Sequence, residues 1–449
     1  MFKRSTLIGA SVGAIAILAL SVAPIFAQDA TAVPSPTPIV QTDLGTGGTH
    51  IALWDGLTGS DGATLDSMLT EFVKENPDIS ITDEEIDWGT FYPKLQAAFV
   101  AGTPPDMFIF HVAEIPVFAS LGVLQPTDDM YDDHGGTLPA KDYADPAFSQ
   151  STYDGSRYGV LLDNHGYGTF INQDLVKAGG VDLTAPPKDA AGTIAMLQKL
   201  TIDKNGKNAA DPAFDPTNVV QWGTAIDWAH FMFQSVMFQN GGSVISADGK
   251  TATINQKPAV DALQSILDLI YKYHVSPPPA GFDSWASFAA GKVAVLTTGT
   301  WYRNFIAATD VKWQAWPMLQ LGTGPGVMFG AHTMQIPAGL SGDKLDAVKK
   351  IMIWVSNHDD LWAASGQVPA RISIRDGLDP AKYPSNIVIG QTFQQYGHME
   401  AQSPAELDIA NAEDPSLSAA LANQQTAQQA LDDANTRIQQ ILDRTNAGS

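Results

Sequence analysis

The sequence predicts an α/β fold, and three observations carry the prediction. Short apolar runs rich in β-branched and aromatic residues alternate with stretches whose apolar residues recur every three or four positions. Between His50 and Phe110 these come in the order strand, helix, strand, helix, strand, the order of a parallel sheet with crossover helices. The chain also has no cysteine, so neither disulfides nor zinc-thiolate centres stand in for packing, and 449 residues suffice for about two or three domain-sized cores. No internal repeat of fixed period is present.

Residues 1–27 read as a secretory signal. Lys3 and Arg4 precede an apolar run from Leu7 to Val22, which leads to Ala23-Pro-Ile-Phe-Ala27. Cleavage after Ala27 is expected, with Ala30-Thr-Ala32 as a later site and an uncleaved anchor as the rival. Without cysteine there is no lipid-modified N-terminal Cys, so retention at the cell needs another device. Residues 28–48 follow as a linker, rich in Pro and Thr up to Pro38 and in Gly from Gly45 to Gly48, without periodicity.

His50-Ile-Ala-Leu-Trp54 opens the first α/β unit as a strand. Leu65, Met68, Leu69, Phe72 and Val73 mark a helix that ends at Pro77, and Ile79 to Ile81 is the next strand. A second helix carries Leu95, Ala98 and Phe99 and stops at Gly102; Met107 to Phe110 is the third strand. Trp54, Asp55, Trp88 and His111 then fall just past the carboxyl ends of strands, the edge at which open α/β sheets bind ligands. Asp106, in a Pro-Pro-Asp turn, reads as structural.

Tyr158 to Leu175 is the stretch around which the rest is organised. Val160, Leu161 and Leu162 suit a buried strand, Asp163-Asn-His-Gly166 interrupts the apolar pattern, and Thr169, Phe170 and Ile171 resume it before Asn172 caps a helix that Gly179-Gly180 stops. The polar break reads either as an ordinary loop or as a strand passing between two lobes with Asp163 and His165 exposed in a cleft.

This Tyr-Gly-Val, Asp-x-His, Asn-x-Asp-Leu order, together with Ala101-Gly-Thr-Pro-Pro-Asp106 upstream and Phe288-Ala-Ala-Gly-Lys-Val-Ala-Val295 and Gly299-Thr-Trp301 downstream, resembles the family 1 extracellular solute-binding proteins of ABC importers, the maltose-binding-like group. The resemblance implies a two-lobed periplasmic-binding-protein fold (type II) with three hinge crossings. The lobes would be 49–162 plus 333–367, N-terminal, and 163–332 plus 368–449, C-terminal. Tyr158 to Leu175 would be the first crossing, Gly324 to Pro337 the second and Gly366-Gln-Val-Pro-Ala-Arg371 the third. Leu162 stands where the family often has proline.

In the second unit a helix carries Ile194, Leu197 and Leu200, and Gln221-Trp-Gly-Thr-Ala-Ile-Asp-Trp228 leads into another through Val236. Lys257-Pro258 opens a third helix, which Pro277-Pro-Pro279 ends, and Asp346 to Ser356 forms a fourth. A last helix is expected to start at Asp414-Pro415 and to run an apolar stripe from Leu417 to Leu442, packed on its own lobe rather than on a partner.

The resemblance makes Trp54, Asp55 and His111 cleft residues, gives Trp228 an aromatic-platform role with Trp222 as its alternative, and marks Trp301 as the side chain that stacks on a sugar. His332 and Arg371 would meet the ligand at the second and third crossings, a salt bridge being the other reading of Arg371. The chemistry agrees, since a pyranose offers an apolar face to an aromatic ring and a rim of hydroxyls to carboxylates, amides and arginine. The 48 acidic against 25 basic residues give a net charge of −23, which repels nucleic acid and anionic lipid and disfavours a strongly anionic ligand.

The expectation is a secreted, extracytoplasmic, monomeric substrate-binding protein that passes a neutral carbohydrate to an ABC permease, with no cofactor, no metal and no catalysis. His111 and Glu114 lack further ligands at metal-binding spacing. One rival is a secreted glycoside hydrolase, which needs two carboxylates facing each other at roughly 5 to 9.5 Å; Asp83-Glu84-Glu85, Asp128-Asp129 and Asp132-Asp133 read instead as solvated surface. The other is a cell-surface adhesion module.

Overall fold

The computed structural model describes residues 39–59 and 61–448; the signal segment and the start of the linker lie outside the described residues. The rest of the expected linker is not a tether. Val40–Leu44 forms strand β1, antiparallel to β3 (Ile79–Glu85), with Leu44 buried. Its backbone hydrogen bonds to β3 explain why a stretch without apolar periodicity is ordered.

Strand β2 (Thr49–Asp55) alternates buried Ile51, Leu53 and Asp55 with less buried neighbours. Helix α1 (Gly62–Glu75) covers the sheet with Leu65, Leu69 and Phe72, and α2 (Trp88–Ala101) starts from an Asp87 cap and ends at Gly102, φ 71°. With β4 (Met107–His111), β2 and β3 make the parallel core expected from the alternation.

The chain leaves this sheet after β5 (Val160–Leu161). The next strand, β6, runs unbroken from Asp163 to Asn172 and every residue of it is buried. The expected interruption at Asp163-Asn-His-Gly166 is absent because neighbouring strands pair that very segment on both sides, so its backbone is satisfied in the interior. Asn172 then caps α3 (Gln173–Ala178) through the Leu175 N–H, and α4 (Ala190–Leu200), α5 (Ala229–Gln239) and α6 (Lys257–Tyr271) follow.

Strands β7 (Val295–Gly299), β8 (Trp313–Trp316) and β9 (Val327–Gly330) all pair antiparallel to β6, after which β10 (His332–Gln335) returns to the first sheet between β4 and β5. Helix α7 (Gly342–Asn357) packs on β2, and β11 (Val368–Pro369) rejoins β6. Helix α8 (Pro384–Tyr396) leads to β12 (Gly397–His398), parallel to β9. The first sheet therefore has the order β1-β3-β2-β4-β10-β5 and the second β7-β6-β9-β12. Where they meet, the Leu162 N–H donates to the His332 carbonyl and the Val112 N–H to the Ala331 carbonyl, each at 2.8 Å.

The C-terminal stripe is two helices. Helix α9 (Glu406–Leu421) contains Pro415, and α10 (Ala427–Gly448) turns back along it after Asn423, φ 56°. Pro415 removes one helical hydrogen bond, but burial of Ile409, Ala412, Leu417 and Leu421 on either side of it holds α9 together, so the expected start at Asp414 does not occur. Helix α10 buries Leu431, Ala434 and Ile438 against α9 and α6.

Candidate functional site

Three strands deliver three histidines to one point. His111 ends β4, His332 begins β10 directly opposite it, and His165 on β6 lies opposite Gly330 at the end of β9. Asp163 and His165, two apart on one strand, share a face. The fully buried Asp163 carboxylate accepts from His165 Nδ1 at 3.2 Å, from His332 Nδ1 at 2.9 Å, from the His332 backbone N–H at 3.0 Å and from Trp362 Nε1 at 2.9 Å. Burial alone would raise its pKa; the His332 charge and the imidazole hydrogen bonds overcome that and hold it far below the usual carboxylate range. His165 is pushed down to about 4 by burial and by His332, and His111 is lowered by the same two causes.

Aromatic rings continue the cluster on both sides. Trp88 lies parallel to His332 at 5.7 Å and 4.3 Å from His111, whose Nδ1 is hydrogen-bonded to the Tyr92 hydroxyl. On the side of the second sheet, Trp301 is 6.2 Å from His165, 5.6 Å from Phe231 and 6.0 Å from Trp228. Trp88 and Trp301 each rest against a glycine, for a Cβ at Gly56 would lie 2.2 Å from the Trp88 ring and one at Gly299 2.2 Å from the Trp301 ring. Glycine at these two positions is what lets the rings lie against the backbone.

Beside this row is a cavity of about 160 Å³ between the two sheets, lined among others by His111, Glu114, His165, Phe231, Glu400 and Glu406. Burial pushes the Glu114 and Glu406 carboxyls well up, and the charge of Glu400 adds to it. Carboxyl groups hydrogen-bond hydroxyls in either protonation state, accepting when ionised and also donating when neutral. Among the described residues, no lysine or arginine lines this cavity. His230 neutralises part of the acid by bridging Glu400 at 2.8 Å and Glu413 at 3.2 Å.

The model of the bacterial extracellular solute-binding proteins matches residues 67–388, about seven-tenths of the chain. The chain belongs to that family. The sn-glycerol-3-phosphate-binding periplasmic protein UgpB of Agrobacterium fabrum is 24% identical over 314 residues, 67% of this chain and 68% of its own. Among solved structures, an ABC substrate-binding protein of Listeria monocytogenes in complex with cycloalternan superposes with a TM-score of 0.75 at 23% identity, over 87% of this chain and 98% of that one. The acarbose-binding GacH receptor of Streptomyces glaucescens gives 0.75 at 18% identity, over 88% and 98%. These likenesses show the maltose-binding-like, two-lobed fold.

This solute-binding protein brings together Trp88, His111, Asp163, His165, Trp228, Trp301 and His332 of the expected site residues. Asp163 and His165 are not exposed in a cleft as expected; they are 0% and 2% exposed, because β6 is a central strand. Trp228 is 55% exposed at the start of α5, in a left-handed conformation (φ 39°), while Trp222 bridges to Val293. The remaining three expected residues stay outside the cluster. Trp54 lies under the Lys94 ammonium, 3.9 Å from its ring centre, and Lys94 pairs with Glu84 at 2.6 Å. Arg371 is held by Asp142 at 2.6 Å and by Asn357 at 3.3 Å, the salt-bridge reading of this residue.

Asp55 points to the opposite face from Trp54 and is fully buried beside Asp83, which is itself buried rather than solvated as expected. Burial is the first cause that pushes the Asp55 carboxyl up to about 7 and Glu85 likewise to about 7, with neighbouring carboxylates adding to it. A folded pKa above the unfolded one means that the native state binds more protons between about pH 4 and 7, so the stability these groups contribute is full at acidic pH and lost as pH rises through 7. The urea midpoint is expected to be higher at about pH 5 than at about pH 8, and Asp55→Asn to add about 1 kcal/mol or more at the higher pH. A variant no more stable than the parent there would contradict this.

Residues that the sequence did not point to are Phe231, on α5, and Glu400 and Glu406, which lie in a stretch without motif or periodicity. Their contribution arises because α5, the start of α9 and the segment before it meet the end of β4. No local signal marks such a meeting.

Proposed function

We propose that this protein captures an uncharged, hydroxyl-rich carbohydrate between its two lobes outside the cytoplasmic membrane and hands it to the permease of an ABC importer. The observation that carries this is the inter-sheet cavity, with imidazole, aromatic and buried carboxyl groups and, among the described residues, neither lysine nor arginine at its wall. Cycloalternan and acarbose, the ligands of two structural relatives, support it. Residues 49–162 with 333–367 would move as one lobe against 163–332 with 368–449, flexing where the chain passes at Leu162, at Ala331 and before β11. Ligand that touches both lobes only when they close shifts the population to the closed form, which then docks on the permease. Residues 1–27 direct export, the protein acts as a monomer, and it binds without catalysing.

A thermal-shift screen of the tagless protein against cyclic and linear oligosaccharides, monosaccharides and sn-glycerol 3-phosphate tests the assignment. A dose-dependent rise of a few degrees with a neutral sugar is expected, since ligand at 100 times its Kd stabilises by about 2.7 kcal/mol. The sequence relative makes glycerol phosphate the competing ligand. A shift with it and none with sugars would overturn the neutral-ligand reading, and cleavage of an oligosaccharide would make the protein a hydrolase.

A further inference from the structure

We propose that His111, His165 and His332 form a site for a divalent first-row transition ion of the zinc type, with its open coordination position towards the inter-sheet cavity. One ring nitrogen from each histidine comes within 4.8 Å of the others. Which nitrogens are free follows from the hydrogen bonds. The Tyr92 hydroxyl occupies Nδ1 of His111, and the Asp163 carboxylate occupies Nδ1 of both His165 and His332, so Nε2 remains on all three. A carboxylate accepting from the far nitrogen is a usual support of a metal-bound histidine, because it fixes the tautomer and the ring orientation and strengthens the donor; at His111 the Tyr92 hydroxyl takes that place.

Ring spacing agrees for two pairs. Tetrahedral zinc with bonds of about 2.1 Å places imidazole centres about 5 Å apart, and His111 lies 5.0 Å from His332 and 5.2 Å from His165. His165 and His332 are 4.0 Å apart and need to open by about 1 Å to match the same geometry. Gly330 leaves that edge free: a Cβ there would lie 2.8 Å from His165 Nε2.

The surroundings favour a cation. Asp163 lies behind two of the rings, and the buried Asp61 has one carboxylate oxygen, Oδ1, without a hydrogen-bond partner, the other accepting from Gln367 at 3.0 Å. Because His111 and His165 also line the cavity, a water or an oxygen of the captured solute has access to the fourth position. Imidazole nitrogens, deprotonated as the metal binds, suit zinc, cobalt, nickel or copper rather than calcium or magnesium, which prefer oxygen ligands. The expectation of no metal rested on His111 and Glu114; the second and third nitrogen donors come instead from β6 and β10.

The test needs no sugar, so its failure is distinct from failure of the carbohydrate assignment. Tagless protein freed of metal with EDTA is titrated with zinc chloride by calorimetry and with cobalt chloride by visible absorption. One equivalent of zinc and the strong d–d bands of four- or five-coordinate cobalt are expected. His111→Gln abolishes the bands. Tyr92→Phe keeps the ring and its packing while removing the hydroxyl, and weakens binding about 10-fold or more. The exposed-surface variant His134→Ala binds as the parent does. Absence of stoichiometric binding in the parent overturns the proposal, as does unchanged cobalt absorption in folded His111→Gln or unchanged metal affinity in folded Tyr92→Phe, circular dichroism reporting the fold.

Discussion

Asp163→Ala is expected to lower the unfolding free energy by about 3–5 kcal/mol, the usual result of removing one partner from a buried ion pair. The carboxylate is 0% exposed and accepts from two imidazoles, one backbone N–H and the Trp362 indole. Truncation leaves those donors in the interior with no acceptor, and it leaves His332, whose pKa this carboxylate raises against the opposing effect of burial, without its counter-charge. Asp163→Asn, which keeps the shape and one acceptor, should fall between the parent and the alanine variant. Urea denaturation with an unchanged m-value is the measurement. A loss below about 1 kcal/mol would mean that water enters the crossing and replaces the carboxylate.

Trp301→Ala is expected to weaken binding of the sugar identified by the thermal screen about 10-fold or more. Truncating a large aromatic contact removes buried area and about 0.5–1.5 kcal/mol of ring-specific interaction besides. Trp301 lies between His165 and Phe231, both of which line the cavity, with Trp228 edge-on beyond it. Gly299→Ala offers an independent handle, since the added methyl would lie 2.2 Å from the indole and must displace it. Both variants should therefore raise Kd by calorimetry while leaving the circular dichroism spectrum unchanged. An unaltered Kd in a folded Trp301→Ala would take this ring out of the ligand site.

The sequence by itself determined what depends on neighbours along the chain. The three-four spacing of Leu65, Leu69 and Phe72 specified α1, Asn172 specified the start of α3, and Gly102 specified the end of α2, because helix periodicity and caps involve residues a few positions apart. The order of several weak motifs also disclosed the family. Tertiary structure alone decided which residues meet. His111, His165 and His332 come from three strands distant in sequence, and strand pairing sets their convergence. The same holds where the reading failed or stayed open: Asp163 looked like an exposed break until strands paired on both sides of it, and of the two readings of Arg371 the sequence could not name Asp142 as the salt-bridge partner. A pattern of polar and apolar residues reports which face of an element is buried. It carries no record of the partner across the interface, which depends on how distant strands and helices close on one another.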